Sequence, residues 1–395
     1  MFRWARKRWR SKAAETSRPG FVFDRPLVVL ESDDWGRLGV RDREGWEQLR
    51  DAGLTLGERP YDFYTLETAE NVESLREVLL RHRDAAGRSP CLVMNFVTAN
   101  LDFTRMAAAG FLNVHLRALA EGLPGGWKRE GLFDAYRRGV ADGVFYPALH
   151  GASHFCVPAM EEQVAKESER RNLIRTLWEA KTPYIHWRMP WVGYEYWHPE
   201  RAPKDRFLSA EEQSRWIEQA AEYFRAMFGT GPASACAPGY RANHDTHRAW
   251  ARQGVRVAQN GPGSPNGCYM DENEMLQVCR NLDFEPATSG SGFSVEECLR
   301  TADVTLQRGV PLIVSLHSIN FHSTIQDFCG PTLGVLDQFL TALELRYPKL
   351  LYVHDSDLRN CVNEGLLQGP QGAIKVTVTQ PARSGSAEPV RRGTI

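Results

Sequence analysis

Three short stretches of the chain combine residue types suited to acid–base or metal chemistry. Glu31-Ser32-Asp33-Asp34-Trp35-Gly36 puts two adjacent carboxylates just past the apolar run Leu27–Leu30. Successive side chains of a strand diverge, so one of the pair can bind a cation while the other faces a water or substrate group on it. The same pair also suits a turn or a helix cap. His150-Gly-Ala-Ser-His154 places two imidazoles at i and i+4, on one face of a helical turn, where they can share a metal ion. Gly151 stands where a zincin needs Glu, which excludes that class of site. Two histidines are only part of a metal shell. A carboxylate from elsewhere must complete three protein ligands and leave a position open for water. Ser315-Leu316-His317 closes a third apolar run, and its imidazole suits proton transfer near neutrality. A buried histidine bonded to a backbone carbonyl is the competing reading. His322 reads as surface loop.

The elements that must position these groups alternate in type. Strand-like runs cover Leu27–Leu30, Cys91–Val97, Val144–Leu149, Val255–Ala258, Leu312–Leu316 and Leu350–Val353. Helix-like runs cover Glu70–Arg83, Met160–Lys181, Ser209–Phe228, Ser294–Gln307 and Leu333–Tyr347, and Ser209/Glu212 and Ser294/Glu297 have capping-box spacing. This alternation predicts a largely parallel sheet with helices on its faces, either a barrel or an open doubly wound sheet. Four apolar runs end in ionisable groups: Asp33 and Asp34, His150, His317, and His354-Asp355-Ser-Asp357. The first free positions past parallel strands form the rim on which barrels build their sites. That convergence favours a barrel.

Bulk properties narrow the classes. The net charge of −1 over 395 residues offers no general field for nucleic acid. No run of about 18 apolar residues exists, so no transmembrane helix is expected. Residues 1–19 form a basic segment in which Arg3, Arg6, Lys7, Arg8, Arg10 and Lys12 interleave with Phe2, Trp4 and Trp9. It reads either as a contact for anionic lipid or as a solvated terminus. No apolar segment of a secretory signal follows it. The eight scattered cysteines contain no CxxC pair and suit reduced thiols in a cytoplasmic protein. Residues 370–395, rich in Gly, Ser, Pro and Arg, predict a disordered tail. Trp187, Trp191, Tyr194, Tyr196 and Trp197 cluster with His186 and His198; they read either as sugar-stacking rings or, by the more general rule, as a packed aromatic cap.

The motifs and their order resemble those of the polysaccharide deacetylases, the NodB-homology or carbohydrate esterase family 4 proteins. Glu31–Gly36 resembles their Thr-Phe-Asp-Asp motif, His150-xxx-His154 their His-(Ser/Thr)-xx-His motif, and Val314-Ser-Leu-His317 their Leu-x-His motif. Ala237-Pro-Gly-Tyr240-Arg241 is similar to Arg-Pro-Pro-Tyr but lacks its first arginine, and the Asp-xx-Trp motif has no counterpart. The likeness spans residues 25 to 360, carried by four short stretches, and implies a distorted (β/α)7-type barrel with loop insertions over residues 20–365.

What the resemblance implies is a metal-dependent hydrolase removing an N-acetyl or similar small acyl group from a sugar in a polysaccharide or glycolipid precursor. Asp34, His150 and His154 would hold a divalent metal, commonly zinc. Asp33 would be the base and His317 the acid. Tyr240, Arg241 and Trp35 would contact substrate, with the Tyr240 backbone N–H near the developing oxyanion. The arginine that orients the base falls to Arg241 or Arg280. A same-fold hydrolase of a non-sugar amide or a formylated sugar, and a non-catalytic glycan-binding barrel, are the alternatives. A cytoplasmic enzyme touching the inner membrane face through its basic segment is the expected setting.

Overall fold

The structure is a computed structural model that describes residues 20–262 and 267–380. The basic segment 1–19 and residues 381–395 lie outside the described residues. The fold centres on strand β1 (Leu27–Trp35), all nine residues of which are buried. The other strands of its sheet are β2 (Leu92–Phe96), β3 (Phe145–Leu149), β4 (Ser234–Cys236), β5 (Val257–Asn260), β6 (Cys268–Met270), β7 (Leu276–Cys279), β8 (Leu282–Asp283), β9 (Leu312–His317) and β10 (Leu351–Tyr352). They are ordered β8-β9-β1-β2-β3-β4-β5-β7-β6, with β10 pairing the start of β1. Only β6 runs antiparallel to its neighbour. The β4 and β6–β8 strands were not legible in the sequence, being two to four residues long.

The expected barrel is not closed: the strand path ends at β8 and β6, and among the described residues no strand pair joins them. The break falls where β7 gives way to β8 after only Arg280 and Asn281. β7 pairs with β5 on one side of this break and β8 with β9 on the other. Arg280 therefore sits where the two ends of the sheet approach, and its side chain enters the middle of the fold.

Period-2 alternation explains how the sheet delivers polar groups to one place. Val28 and Leu30 face outward into the large cluster shared with the helices Ala69–Arg81, Leu132–Ala141, Val295–Leu306 and Cys329–Arg346. Leu149, Ala235 and Ala258 likewise pack against Ala210–Phe228 and His244–Arg252. The alternate residues Leu27, Val29, Val93, Ala148, Val257, Val278 and Ile313 form a second, inner cluster closed by Leu358 and Cys361 of the helix Asp355–Glu364. Two positions further along each strand, on that same inner face, the residues are Glu31, Asn95, His150, Gln259, Arg280 and Ser315, and after them Asp33 and His317. An apolar layer thus carries a buried polar layer, with the strand-end groups above it.

Three expectations change. β10 pairs with Leu27 and Val28, the first residues of β1, so His354 lies toward the opposite end of the sheet from Asp33; it stacks on Tyr146 at 4.1 Å. The Met160–Lys181 run is two helices, Val157–Val164 and Glu169–Glu179, because the Ser168 hydroxyl caps the second by accepting the Arg171 N–H. The tail expected from residue 370 is paired as far as Thr379: Gly372–Lys375 pairs with Leu366–Gly369, and Val378–Thr379 with Val22–Phe23. All six residues of β9 pair in register with Val28 to Asp33 of β1, which sets His317 beside Asp33.

Candidate metal centre and active site

Asp33 and Asp34 both line one cavity of about 360 Å³. Regular strand geometry would send them to opposite faces. A register shift between Ser32 and Trp35 in the β1–β2 pairing interrupts it, and Asp34 takes φ 74°. A bulge of this kind re-aims side chains, and aspartate tolerates the left-handed region better than most residues. The Asp34 carbonyl is pinned by the Tyr64 hydroxyl (2.8 Å) and the Ser318 hydroxyl (3.2 Å), which together hold this strained backbone.

Asp34 Oδ1 is buried without a hydrogen-bond partner. It lies 3.1 Å from His154 Nε2 and 3.6 Å from His150 Nε2. Three ligands of a tetrahedral ion with bonds of about 2.1 Å stand about 3.4 Å apart, so the separations fit a divalent cation. The supporting contacts agree. His150 Nδ1 donates to the Cys236 carbonyl at 2.8 Å, which leaves the Nε2 lone pair facing Asp34. The Tyr184 hydroxyl holds His154 Nδ1 at 2.8 Å. Arg37 Nη1 donates to Asp34 Oδ2 at 2.7 Å. Burial holds the His154 imidazole well below its usual range, in the neutral state a ligand needs. Burial alone would raise Asp34, but the Arg37 guanidinium holds it well below the usual carboxylate range. Gly151, at φ 81°, lets the loop between the histidines turn back on Glu195, which accepts the Ala152 and Ser153 N–H groups at 2.7 and 3.0 Å. Asp33, His150 and Cys236 also lie within ligand distance of one another. Asp33 is already committed elsewhere.

That commitment is to Arg280. Its Nη1 and Nη2 donate to the two Asp33 oxygens at 2.7 and 2.6 Å, and its Nε to Glu31 Oε2 at 2.7 Å. Further contacts reach the Tyr240 hydroxyl at 2.8 Å and Gln259 Oε1 at 3.2 Å. Asn95 Nδ2 adds a third donor to Asp33 at 2.8 Å. Burial would raise the Asp33 carboxyl; Arg280 overrides this and keeps it far below the usual range. Of the two candidate arginines, Arg280 is the one that orients Asp33. Arg241 is exposed, 4.9 Å over the Trp197 ring at the mouth.

His317 faces Asp33 from β9, with Nε2 3.8 Å from Asp33 Oδ2. Its Nδ1 meets Glu285 Oε1 at 2.6 Å, and Asn320 Nδ2 donates to the other Glu285 oxygen at 2.6 Å. Burial would lower the imidazole, but Glu285 raises it to about 9, so it carries a proton at neutral pH.

Tyr240 lines the cavity, yet its backbone N–H donates to the Ala237 carbonyl at 2.8 Å in a tight turn, so it does not point an unpaired donor into the site. Trp35 does not reach the cavity; it is fully buried and stacks on Phe321 at 5.6 Å. Its position beyond the bulge turns it into the outer core. His322 is buried against Glu67 and Tyr64 rather than in a surface loop. The aromatic cluster divides: His186, Trp187 and Tyr194 line the cavity, while Trp191, Tyr196 and His198 are packed. Arg37, Glu285 and Tyr61 also belong to the site and escaped the sequence reading. Each is a common residue type in a loop, made functional only by long-range contact.

No protein-family model matches the sequence, and no curated protein matches it. Solved structures do resemble it. A protein from Parabacteroides distasonis, provisionally named a glycoside hydrolase/deacetylase, aligns at TM-score 0.51 and 12% identity over 92% of this chain and 80% of that one. A provisionally named polysaccharide deacetylase from Mycobacterium smegmatis aligns at TM-score 0.44 and 12% identity over 90% and 94%. A family 4 carbohydrate esterase from Streptomyces lividans, in complex with acetate, aligns at 0.33 and 12% over 85% and 92%. The chain shares the fold of the Parabacteroides distasonis protein, and the structures that resemble it include the polysaccharide deacetylases and family 4 carbohydrate esterases to which its motifs point.

Proposed function

We propose that the chain is a metal-dependent hydrolase that removes an N-acetyl or similar small acyl group from a sugar. The carrying observation is the unpartnered Asp34 Oδ1 facing two histidine Nε2 atoms on the cavity wall, with Asp33 and His317 beside it. Two imidazoles and a carboxylate suit zinc. A divalent cation held there supplies Lewis acidity, lowering the pKa of a water toward about 7 and stabilising negative charge on an acyl oxygen.

The chain's own residues divide the proton work. Asp33, kept ionised and fixed in orientation by Arg280, accepts a proton from the attacking water. His317, charged and braced by Glu285, donates one to the departing amine nitrogen. Their separation of 3.8 Å supports a role for both at one acyl centre, where each would contribute on the order of 10²–10⁴ in rate. Trp187, Tyr194 and Tyr61 form the wall on which a sugar ring can lie. The missing arginine of the third motif suggests a non-catalytic barrel; Arg280 supports the catalytic reading by filling that role.

The setting proposed is cytoplasmic, with a polysaccharide or glycolipid precursor as substrate; all eight cysteines are unpaired and buried. No helix of the described residues is long and apolar enough to cross a membrane. The test is acetate and formate release from a panel of acylated sugars and simple amides by zinc-loaded protein. Release that disappears in Asp33→Asn is expected. A zinc-loaded protein that binds these sugars without releasing acid would overturn the catalytic reading in favour of a glycan-binding one.

A further inference from the structure

We infer that this site selects substrates carrying an anionic group, a phosphate or a carboxylate on the sugar, and that Arg37 is the residue that recognises it. The inference rests on the proposed sugar-hydrolase reading and adds the substrate class.

The charges of the cavity wall motivate it. Its acidic residues are Asp33 and Asp34. Asp33 is neutralised by two Arg280 hydrogen bonds from behind the wall. Asp34 belongs to the metal set. The remaining charged side chains on the wall are Arg37, one N–H of which pairs with Asp34, and His317, which pairs with Glu285 behind it. A cation at Asp34 adds further positive charge. The loaded cavity therefore has an excess of positive charge, which the cation supplies, and a concave site focuses it on a substrate.

Arg37 is built to receive an anion. Its side chain is 6% exposed and lies flat between two rings, 4.1 Å over Tyr64 and 5.2 Å over Tyr184. Only Nη1 is used by Asp34, and Nε is buried with no hydrogen-bond partner. A buried guanidinium with an unsatisfied donor is costly. A role confined to orienting Asp34 would need one N–H. The rigid fork presents the remaining donors together, the geometry that matches two oxygens of a phosphate or carboxylate. A second cation stands at the mouth: Arg241 is exposed, lies over Trp197, and makes no ion pair among the described residues. It helps draw an anion inward rather than holding it.

The test compares N-acetylglucosamine, its 6-phosphate, its 1-phosphate and N-acetylmuramic acid on the zinc-loaded full chain. Binding is measured by calorimetry at two salt concentrations, and acetate release in parallel. At least one anionic sugar is expected to bind roughly 10- to 100-fold more tightly than the neutral one, the range of a charge-assisted hydrogen bond. The preference should weaken with salt. Arg37→Met, with its zinc content verified, should lose most of the ratio of anionic to neutral sugar binding, the ratio being read independently of any loss on the neutral sugar itself. Arg241→Met, remote from the metal set, should reduce it several-fold and add a check independent of zinc retention. Phosphate against lactyl-carboxylate sugars distinguishes the two anion sources. Equal binding of all four sugars overturns the anion inference and leaves the hydrolase reading standing. Tight binding of an anionic sugar with no acetate release from any overturns the hydrolase reading and leaves the anion site standing.

Discussion

Replacing Arg280 by Met removes the one cation that holds two buried carboxylates. Three charge-assisted hydrogen bonds of 2.6–2.7 Å disappear, two to Asp33 and one to Glu31. Asp33 keeps the Asn95 amide, the His317 imidazole at 3.8 Å and a weak thiol contact from Cys236 at 3.8 Å. Breaking a fully buried pair from one side costs about 3–5 kcal/mol. The pH dependence has a definite sign. In the native protein Asp33 titrates below its unfolded value of about 3.9, so its contribution is complete above that pH and is lost only as pH falls through the lower folded value. Without Arg280 the strongest influence opposing burial is gone, His150 and His317 alone counter it, and the folded value is expected to rise above the unfolded one. Ionising Asp33 then opposes folding, and the deficit shrinks as pH falls from 7 toward about 4. Arg280→Lys keeps the charge but loses the fork, and should fall between the two. Urea unfolding of metal-free protein at pH 7 and pH 5, with kcat/KM on whichever acylated sugar is turned over, measures both effects. An Arg280→Met protein within about 1 kcal/mol of native at pH 7, with the same stability difference at pH 5 and unaltered kcat/KM, would falsify the assignment of Arg280 as the residue that orients the base.

The remaining expectations follow from neighbouring contacts. In metal-free protein an NMR titration should place His317 near 9; because that exceeds the unfolded value of about 6.5, the stability from its Glu285 contact is complete below that pH and is lost as pH rises through 9. Glu285→Gln should return the midpoint toward 6.5, and an unmoved midpoint would refute Glu285 as its cause. His150→Ala should lose bound zinc and the rise in melting temperature that zinc confers, whereas Asp33→Asn should keep both and lose a factor of about 10²–10⁴ in kcat; metal analysis beside the melting curve tells them apart. A Cβ at Gly151 would collide with the Glu195 carboxylate at a φ that favours glycine, so Gly151→Ala should weaken zinc binding about 10- to 100-fold, the range seen when outer contacts of a metal site are disturbed. Unchanged zinc affinity would show that the loop relaxes freely.

Much of the site was readable in one dimension because it lies on strand ends. Leu27–Leu30, Val144–Leu149 and Leu312–Leu316 announce themselves by continuous apolar character, as buried parallel strands do. The polar residues Asp33, His150 and His317 that follow them inherit their placement from the sheet's period of two. His154 follows from its spacing to His150. These features are local, so composition and distance along the chain were enough to identify them.

Other features depended on contacts that no local pattern encodes. The bulge at Ser32–Trp35 brought both aspartates to one cavity and sent Trp35 into the core. The break between β7 and β8 favours Arg280 over Arg241, because it seats Arg280 with its guanidinium on Asp33. Glu285, 32 residues before His317, and Arg37, flat between Tyr64 and Tyr184, acquire meaning only through partners distant in sequence. His354 shows the converse: its strand ends in an ionisable group like the others, but pairs with the first residues of β1 and carries that group away from the site. The amino-acid sequence by itself determined which strands end in chemistry, since burial and alternation act residue by residue. The tertiary structure alone decided which of those ends meet, because register, bulges and sheet breaks are set by pairing between strands far apart in the chain.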